Sequence, residues 1–115
     1  MHDQPVLDRR VFAPGEVIFK EGQHGAVAYV IQKGTVDLWR GEKLIAVLTD
    51  NAIFGEMALI DGAPRMATAK ARDQVTVIVL PKTLVESKLR GVDPFVARLL
   101  TILVSNVRNF AQLVD

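Results

Sequence analysis

The sequence predicts a mainly β domain of the sandwich or barrel kind, with helices gathered at its C-terminal end. Three observations carry this. Short β-branched and aromatic runs recur at close spacing, each closed by a glycine turn. Val75, Val77 and Val79 alternate with Thr76 and Ile78, the two-residue period of a strand with one buried face. From Asp93-Pro94 onward the period changes to three and four, that of an amphipathic helix. The spacing of the early strands argues against a parallel α/β sheet.

The elements follow in order. Arg9-Arg10 reads as a solvated strand edge. "EVIFKEG" is a strand that ends at Gly22. "AVAYVIQKG" and "TVDLWRG" flank a Lys33-Gly34 turn, and in the second Val36 and Leu38 alternate with an outward Asp37 and Trp39. "KLIAVLT" follows the Arg40-Gly41-Glu42 turn. "GEMALI" predicts a short helix stopped by Asp61-Gly62 and Pro64. "RMATAKARDQVTVIVLP" returns to strands, and Pro81 ends the β region. "KTLVESKLR" is helical, with Gly91 just past its end. Asp93 caps the last helix and Pro94 occupies its first turn. On that helix Arg98, Thr101, Ser105, Arg108 and Gln112 form a polar stripe. Phe95, Leu99, Leu100, Ile102, Leu103, Val107, Phe110, Leu113 and Val114 form a wide apolar surface. Core packing is expected for most of these side chains, with the remainder left for a partner chain or a ligand.

The chain has 115 residues, which fits one domain. Half of it is hydrophobic and 23% is charged, enough to bury an ordinary core. Net charge is +1, and no basic run extends beyond Arg9-Arg10, so bulk charge gives no reason to expect a nucleic-acid binder. Cysteine is absent, which excludes disulfides and thiolate chemistry and suits a reducing cytosol. "MHDQPVLDRR" is polar and lacks the apolar centre of a signal peptide. "FVARLLTILVSNV", the longest apolar stretch, is interrupted by Arg98, so no membrane span is predicted. A cytoplasmic location is the expectation.

The chemistry concentrates in "FGEMALIDGAPRMATAKA", Phe54 to Ala71. One arginine, Arg65, stands among small and apolar residues after a Gly-Ala-Pro turn, with Glu56 beside Gly55 upstream. An arginine offers a planar fork of donors that matches two phosphate oxygens and keeps its charge. A helix start offers backbone N–H groups and a favourable dipole, and Gly55 allows close approach. Ala67 and the small residues after it would keep the opposite wall open. Glu56 would repel phosphate but can accept a sugar hydroxyl. On spacing alone a second account also fits: a surface arginine after a turn and a plain first-turn carboxylate.

This stretch closely resembles the phosphate-binding cassette of the cyclic nucleotide-binding domain family, the sensory module of cAMP-dependent kinase regulatory subunits, nucleotide-gated channels and bacterial catabolite activators. The likeness is nearly gapless from Phe54 through Ala71. Upstream, "GEVIFKEGQHGAVAYVIQKGTVDLW" resembles the family's early strands, with Gly15, Gly22, Gly25 and Gly34 at its turns. The resemblance covers roughly residues 11 to 90. It implies a jelly-roll-like β-roll (a double-stranded β-helix) over about 11–81, a short cassette helix, and C-terminal helices over about 82–114, all in a single domain, 1–115. It places the exocyclic phosphate oxygens on Arg65 and the ribose 2′-hydroxyl on Glu56. Phe54, Gly55, Met57 and Ala58 fall around the sugar and phosphate, and Met66 and Ala67 contribute backbone contacts. Met66 stands where members that prefer cGMP often carry threonine, which favours cAMP as ligand, with cGMP as the second choice. Phe110 and Leu113 are candidates for an apolar lid, but core packing is the preferred role for both and they are left out of the site.

The resemblance implies a non-enzymatic receptor in which ligand binding moves the last helix, with no cofactor and no catalytic residue. Its implied partners are a cyclic nucleotide and an effector protein or a second copy through the C-terminal helix. Only "MHDQPVLDRR" precedes the β region and no helix-turn-helix follows, so direct nucleic-acid contact by this chain is not expected. The main rival is a ligand-free β-roll used for assembly or dimerisation. A cupin-like metalloenzyme would need clustered ligands, yet the only histidines are His2 and His24, so no metal site is predicted. No Gly-Lys-Ser/Thr follows a glycine run, which excludes a triphosphate loop. Trp39 reads as a sheet residue.

Overall fold

The computed structural model describes residues 7–113, with side chains through 109. Among the described residues eight strands form two four-stranded antiparallel sheets: β1 (Arg9–Phe12), β2 (Val17–Phe19), β3 (Val27–Lys33), β4 (Val36–Arg40), β5 (Lys43–Leu48), β6 (Ile53–Phe54), β7 (Thr68–Ala71) and β8 (Val75–Pro81). One sheet runs β1-β8-β3-β6 and the other β2-β7-β4-β5. The described residues also form α1 (Met57–Asp61) between β6 and β7, then α2 (Lys82–Leu89) and α3 (Pro94–Leu113).

The alternation of Val75, Val77 and Val79 is the core face of β8, and all three are buried. They pack with Phe12, Tyr29, Ile31, Val36, Phe54, Ala69 and Ala71 between the sheets. Phe54, at 1% exposure, ties the two-residue β6 into this core through ring contacts with Tyr29 (5.2 Å) and Phe19 (5.9 Å). Burying such a side chain contributes roughly 1.5–3 kcal/mol. The small residues after Arg65 have a structural use. Ala69 and Ala71 are fully enclosed in β7, so they let the sheets approach and do not line an open wall.

Several local expectations change. The β region starts two residues earlier than the resemblance put it, because Arg9 and Arg10 pair with Ile78 and Val77 at a sheet edge. β6 is too short to announce itself. Asp37 turns inward at 9% exposure, although alternation places it in solvent. Arg72, from the β7–β8 connection, neutralises it with contacts of 3.1 and 2.8 Å. Gly91 does stand just past the end of α2, though it takes no left-handed conformation and Arg90 caps the helix with helical torsions. Asp93 does cap α3, its Oδ1 accepting the Phe95 N–H at 2.8 Å.

The largest difference lies on α3. Its inner face is Ala97, Leu100, Val104 and Arg108, all half-buried. Phe95, Val96, Leu99, Ile102, Leu103 and Val107 are exposed, Phe95 to 71%. Core packing therefore fails for most of the apolar surface. The physical reason is that strand side chains already fill the β-roll, and α3 packs mainly on the short α1. Phe110, Leu113 and His2 lie outside the residues whose side chains are described. Among the described residues no helix is long and apolar enough to cross a membrane.

Candidate functional site: a cavity floored by Arg65

The segment from β6 to β7 folds over one end of the roll. Gly55 takes a left-handed φ of 77°, which turns the chain out of β6 and into α1. Glu56 is the N-cap, and its carboxylate makes no capping bond. Gly62 closes α1, its N–H donating to the Ala58 carbonyl at 3.1 Å. Arg65 then enters alongside the β2–β3 loop. Its N–H donates to the Gln23 carbonyl, and its own carbonyl accepts from Gly22, each at 2.8 Å.

The Arg65 side chain turns inward and is 6% exposed. Its NH1 donates to the Gly55 carbonyl at 2.9 Å and its NH2 to the Val27 carbonyl at 2.7 Å. The guanidinium carbon lies 4.2 Å from the centroid of Phe19, a cation–π contact. Phe19 is stacked on Tyr29, which is stacked on Phe54. Close approach is built into two glycines. A Cβ at Gly25 would lie 2.2 Å from NH2, and one at Gly55 would lie 2.7 Å from NH1. Among the described residues no carboxylate pairs with this guanidinium, and its buried Nε has no acceptor. Burial lowers the pKa of Arg65 and the Arg108 charge lowers it further. The Tyr29 and Glu56 side chains oppose this, and the group stays a cation.

Above it opens a cavity of about 210 Å³. All eight candidate residues line it: Phe54, Gly55, Glu56, Met57, Ala58, Arg65, Met66 and Ala67. The fold adds Phe19, Leu38, Ile45, Leu48, Ile53 and Arg108. Sequence reasoning missed these: β2, β4, β5 and α3 reach the cavity only through tertiary packing, and Ile53 lies on β6 just before the cassette. The polar-stripe pattern located Arg108 on α3 but gave no sign that it faces inward. The result is an apolar chamber with a buried cation at its floor and one carboxylate at its edge. Such a chamber suits a small organic anion with a hydroxylated, partly apolar body. His24 is exposed in its loop, and among the described residues no acidic or histidine cluster could hold a metal.

Comparison with known proteins gives this chamber a lineage. The cyclic nucleotide-binding domain profile matches residues 9–91. The chain belongs to the cyclic nucleotide-binding domain family. Among curated relatives, a cAMP-dependent protein kinase regulatory subunit from Hypocrea atroviridis is 34% identical over 92 residues, covering 80% of this chain and 20% of the relative. Among solved structures, the EAL enzyme Bd1971 in its cAMP-bound form superposes with a TM-score of 0.82 at 31% identity, over 94% of this chain and 30% of that one. The same enzyme's cGMP-bound form gives 0.82 at 30% identity, over 91% of this chain and 29% of that one. The catabolite activator protein of Thermus thermophilus gives 0.74 at 29% identity, over 93% of this chain and 52% of that one. This cyclic nucleotide-binding domain thus spans a fifth of the curated relative's length and under a third of the EAL enzyme's. Its two-sheet β-roll with flanking helices is the fold of those neighbours.

Proposed function

We propose that this domain is a non-catalytic receptor for a cyclic nucleotide, with cAMP preferred over cGMP, acting as one module. The observation that carries the reading is the buried Arg65 guanidinium at the floor of a cavity lined by every candidate residue. Its two terminal nitrogens are held by carbonyls, and it keeps further N–H donors for the exocyclic oxygens of a cyclic phosphate. Glu56, uncommitted as a cap, accepts a ribose hydroxyl. Phe54, Gly55, Met57 and Ala58 enclose the sugar and phosphate, and Met66 and Ala67 line the wall after the arginine. Met66 has no hydroxyl for a guanine amino group, which supports the preference for cAMP. No step breaks a bond, so neither a cofactor nor a metal is required.

Binding couples to α3. Arg108 from α3 borders the same cavity, so a ligand that meets the cassette differently in two helix positions shifts their populations. The output passes to an effector protein in the cytoplasm, without nucleic-acid contact. Calorimetric titration of cAMP and cGMP into the wild type and Arg65→Ala tests the reading. Saturable binding by the wild type, tighter for cAMP and lost in the variant, is expected. Equal affinity in both proteins would remove Arg65 from the site.

A second reading, an assembly module, is favoured by one specific observation. The outer face of α3 exposes Phe95, Leu99, Ile102 and Leu103. A second copy of the chain would cover this face, and such pairing is compatible with nucleotide binding.

A further inference from the structure

The loop between α1 and Arg65 is gripped from outside by a single side chain of α3. Arg108 donates from Nε and NH2 to the two Asp61 carboxylate oxygens, the latter at 3.1 Å, and from NH1 to the Pro64 carbonyl at 3.0 Å. Asp61 and Pro64 are the two ends of the turn that delivers Arg65. Asp61 also accepts the Ala63 N–H at 3.0 Å, which folds that turn upon itself. The pair is largely sheltered, with side-chain exposures of 17% for Arg108 and 19% for Asp61. Arg108 also lines both the cavity above Arg65 and a neighbouring one bordered by Pro64, Arg65 and Met66. A planar fork that spends its donors on both ends of one turn fixes the turn's span as well as its position.

We propose that Arg108 is a positioning residue for the site: from α3 it clamps the Asp61–Pro64 turn, sets where Arg65 stands, and makes α3 docking and ligand binding one linked equilibrium. The linkage half rests on the reading of Arg65 as the anion-binding group. The positioning half does not. A shift of α3 pulls on the Pro64 carbonyl, which adjoins the Arg65 peptide. A ligand that fixes Arg65 in turn stabilises the seat of Arg108, and by reciprocity each effect has the same size.

Amide hydrogen exchange on the full chain, in the wild type, Arg108→Ala, Arg108→Lys and Arg98→Ala, tests the positioning half without any ligand. The Arg65 amide, which donates to the Gln23 carbonyl, and the Gly22 amide, which donates to the Arg65 carbonyl, report on the turn, while Ile31 and Val79 report on the β-roll. In Arg108→Ala, exchange at Arg65 and Gly22 rises about tenfold, the scale of ordinary coupling between sites, with Ile31 and Val79 unchanged. Lysine does not rescue, because a point charge cannot reach both ends of the turn, and the exposed Arg98 has no effect. Calorimetry with cAMP then shows Kd raised about tenfold in Arg108→Ala and unchanged in Arg98→Ala. Faster exchange confined to α3, with Arg65, Gly22 and Kd unaltered, would reduce Arg108 to a helix-docking contact and overturn the proposal. Tighter cAMP binding in Arg108→Ala would overturn it as well. If the wild type binds neither cAMP nor cGMP, the linkage falls with the receptor reading, and the exchange arm decides the positioning alone. Should Arg108→Ala disturb Ile31 or Val79, Asp61→Asn, which keeps the shape and removes the charge, takes its place under the same criteria.

Discussion

The Arg65 guanidinium rests directly against Gly25, where a Cβ would come within 2.2 Å of NH2, 2.5 Å of the central carbon and 2.6 Å of Nε. The two residues are forty positions apart, and the fit leaves no room for a methyl group. Gly25→Ala therefore has to push the cation off the Val27 carbonyl. We expect cAMP affinity to fall toward that of Arg65→Ala, with a stability loss of about 1–3 kcal/mol from overpacking. Calorimetry and urea unfolding measure the two. Unchanged binding would mean that the observed seat of Arg65 is not the one ligand needs.

Arg65→Ala should weaken cAMP binding by ~2–5 kcal/mol, the scale for truncating one member of a buried charged pair. Arg65→Lys should fail to restore it, since an ammonium cannot span the Gly55 and Val27 carbonyls and still face a phosphate. Titration of both variants separates shape from charge: recovery in the lysine variant would show that charge alone suffices.

Much of this was legible in the sequence. The valine alternation gave β8 its core face, Asp93-Pro94 gave the start of α3, and the likeness of Phe54–Ala71 to a cassette gave the eight residues that do line one cavity. What escaped was long-range. Asp37 sits at an outward position by period, and only the fold brings Arg72 over it. The acceptor for Arg65 NH2 is a backbone carbonyl 38 positions away, which no side-chain pattern encodes. The apolar residues of α3 carry a core-like pattern, yet a helix seated mainly on five residues of α1 cannot bury so wide a face.

Phe54 joins core and site. It is fully buried beside Tyr29 and also lines the cavity. Phe54→Ala should cost about 3–5 kcal/mol in folding stability, as for other large-to-small core changes. Urea unfolding monitored by circular dichroism checks this. A loss under ~1 kcal/mol would show that the β6 end of the roll relaxes to fill the gap.

The Asp61–Arg108 clamp carries a definite pH signature. Burial raises the Asp61 pKa, but hydrogen bonds from Arg108 and the Ala63 N–H, with the Arg108 charge, outweigh it and hold the carboxyl below its ordinary 3.8. A depressed carboxyl stabilises the folded state above its unfolded pKa, and that contribution fades as pH falls through the folded value. Protection of α3 amides should thus be flat from neutral pH down to the ordinary carboxylate range and drop only below 3.8. Loss of protection near pH 6 would implicate some other titrating group.

The outer face of α3 predicts an assembly effect. Leu103→Lys should leave unfolding within ~0.5 kcal/mol of wild type, because the side chain is half exposed. If a second copy covers this face, sedimentation velocity will show the wild type heavier than the variant. Identical sedimentation of the two would dismiss the pairing.

The strand order has a consequence for how this domain comes into being. β1 and β3 never touch by hydrogen bonds; β8 lies between them and joins both. A nascent polypeptide therefore holds its first strand without a partner until the ribosome has released Pro81, well after the whole cassette has emerged. Sheet closure across so many residues is slow compared with local structure. The β1-β8-β3-β6 sheet is thus assembled late, and a chain cut short before β8 would carry all eight candidate residues yet lack the strand that joins β1 to β3.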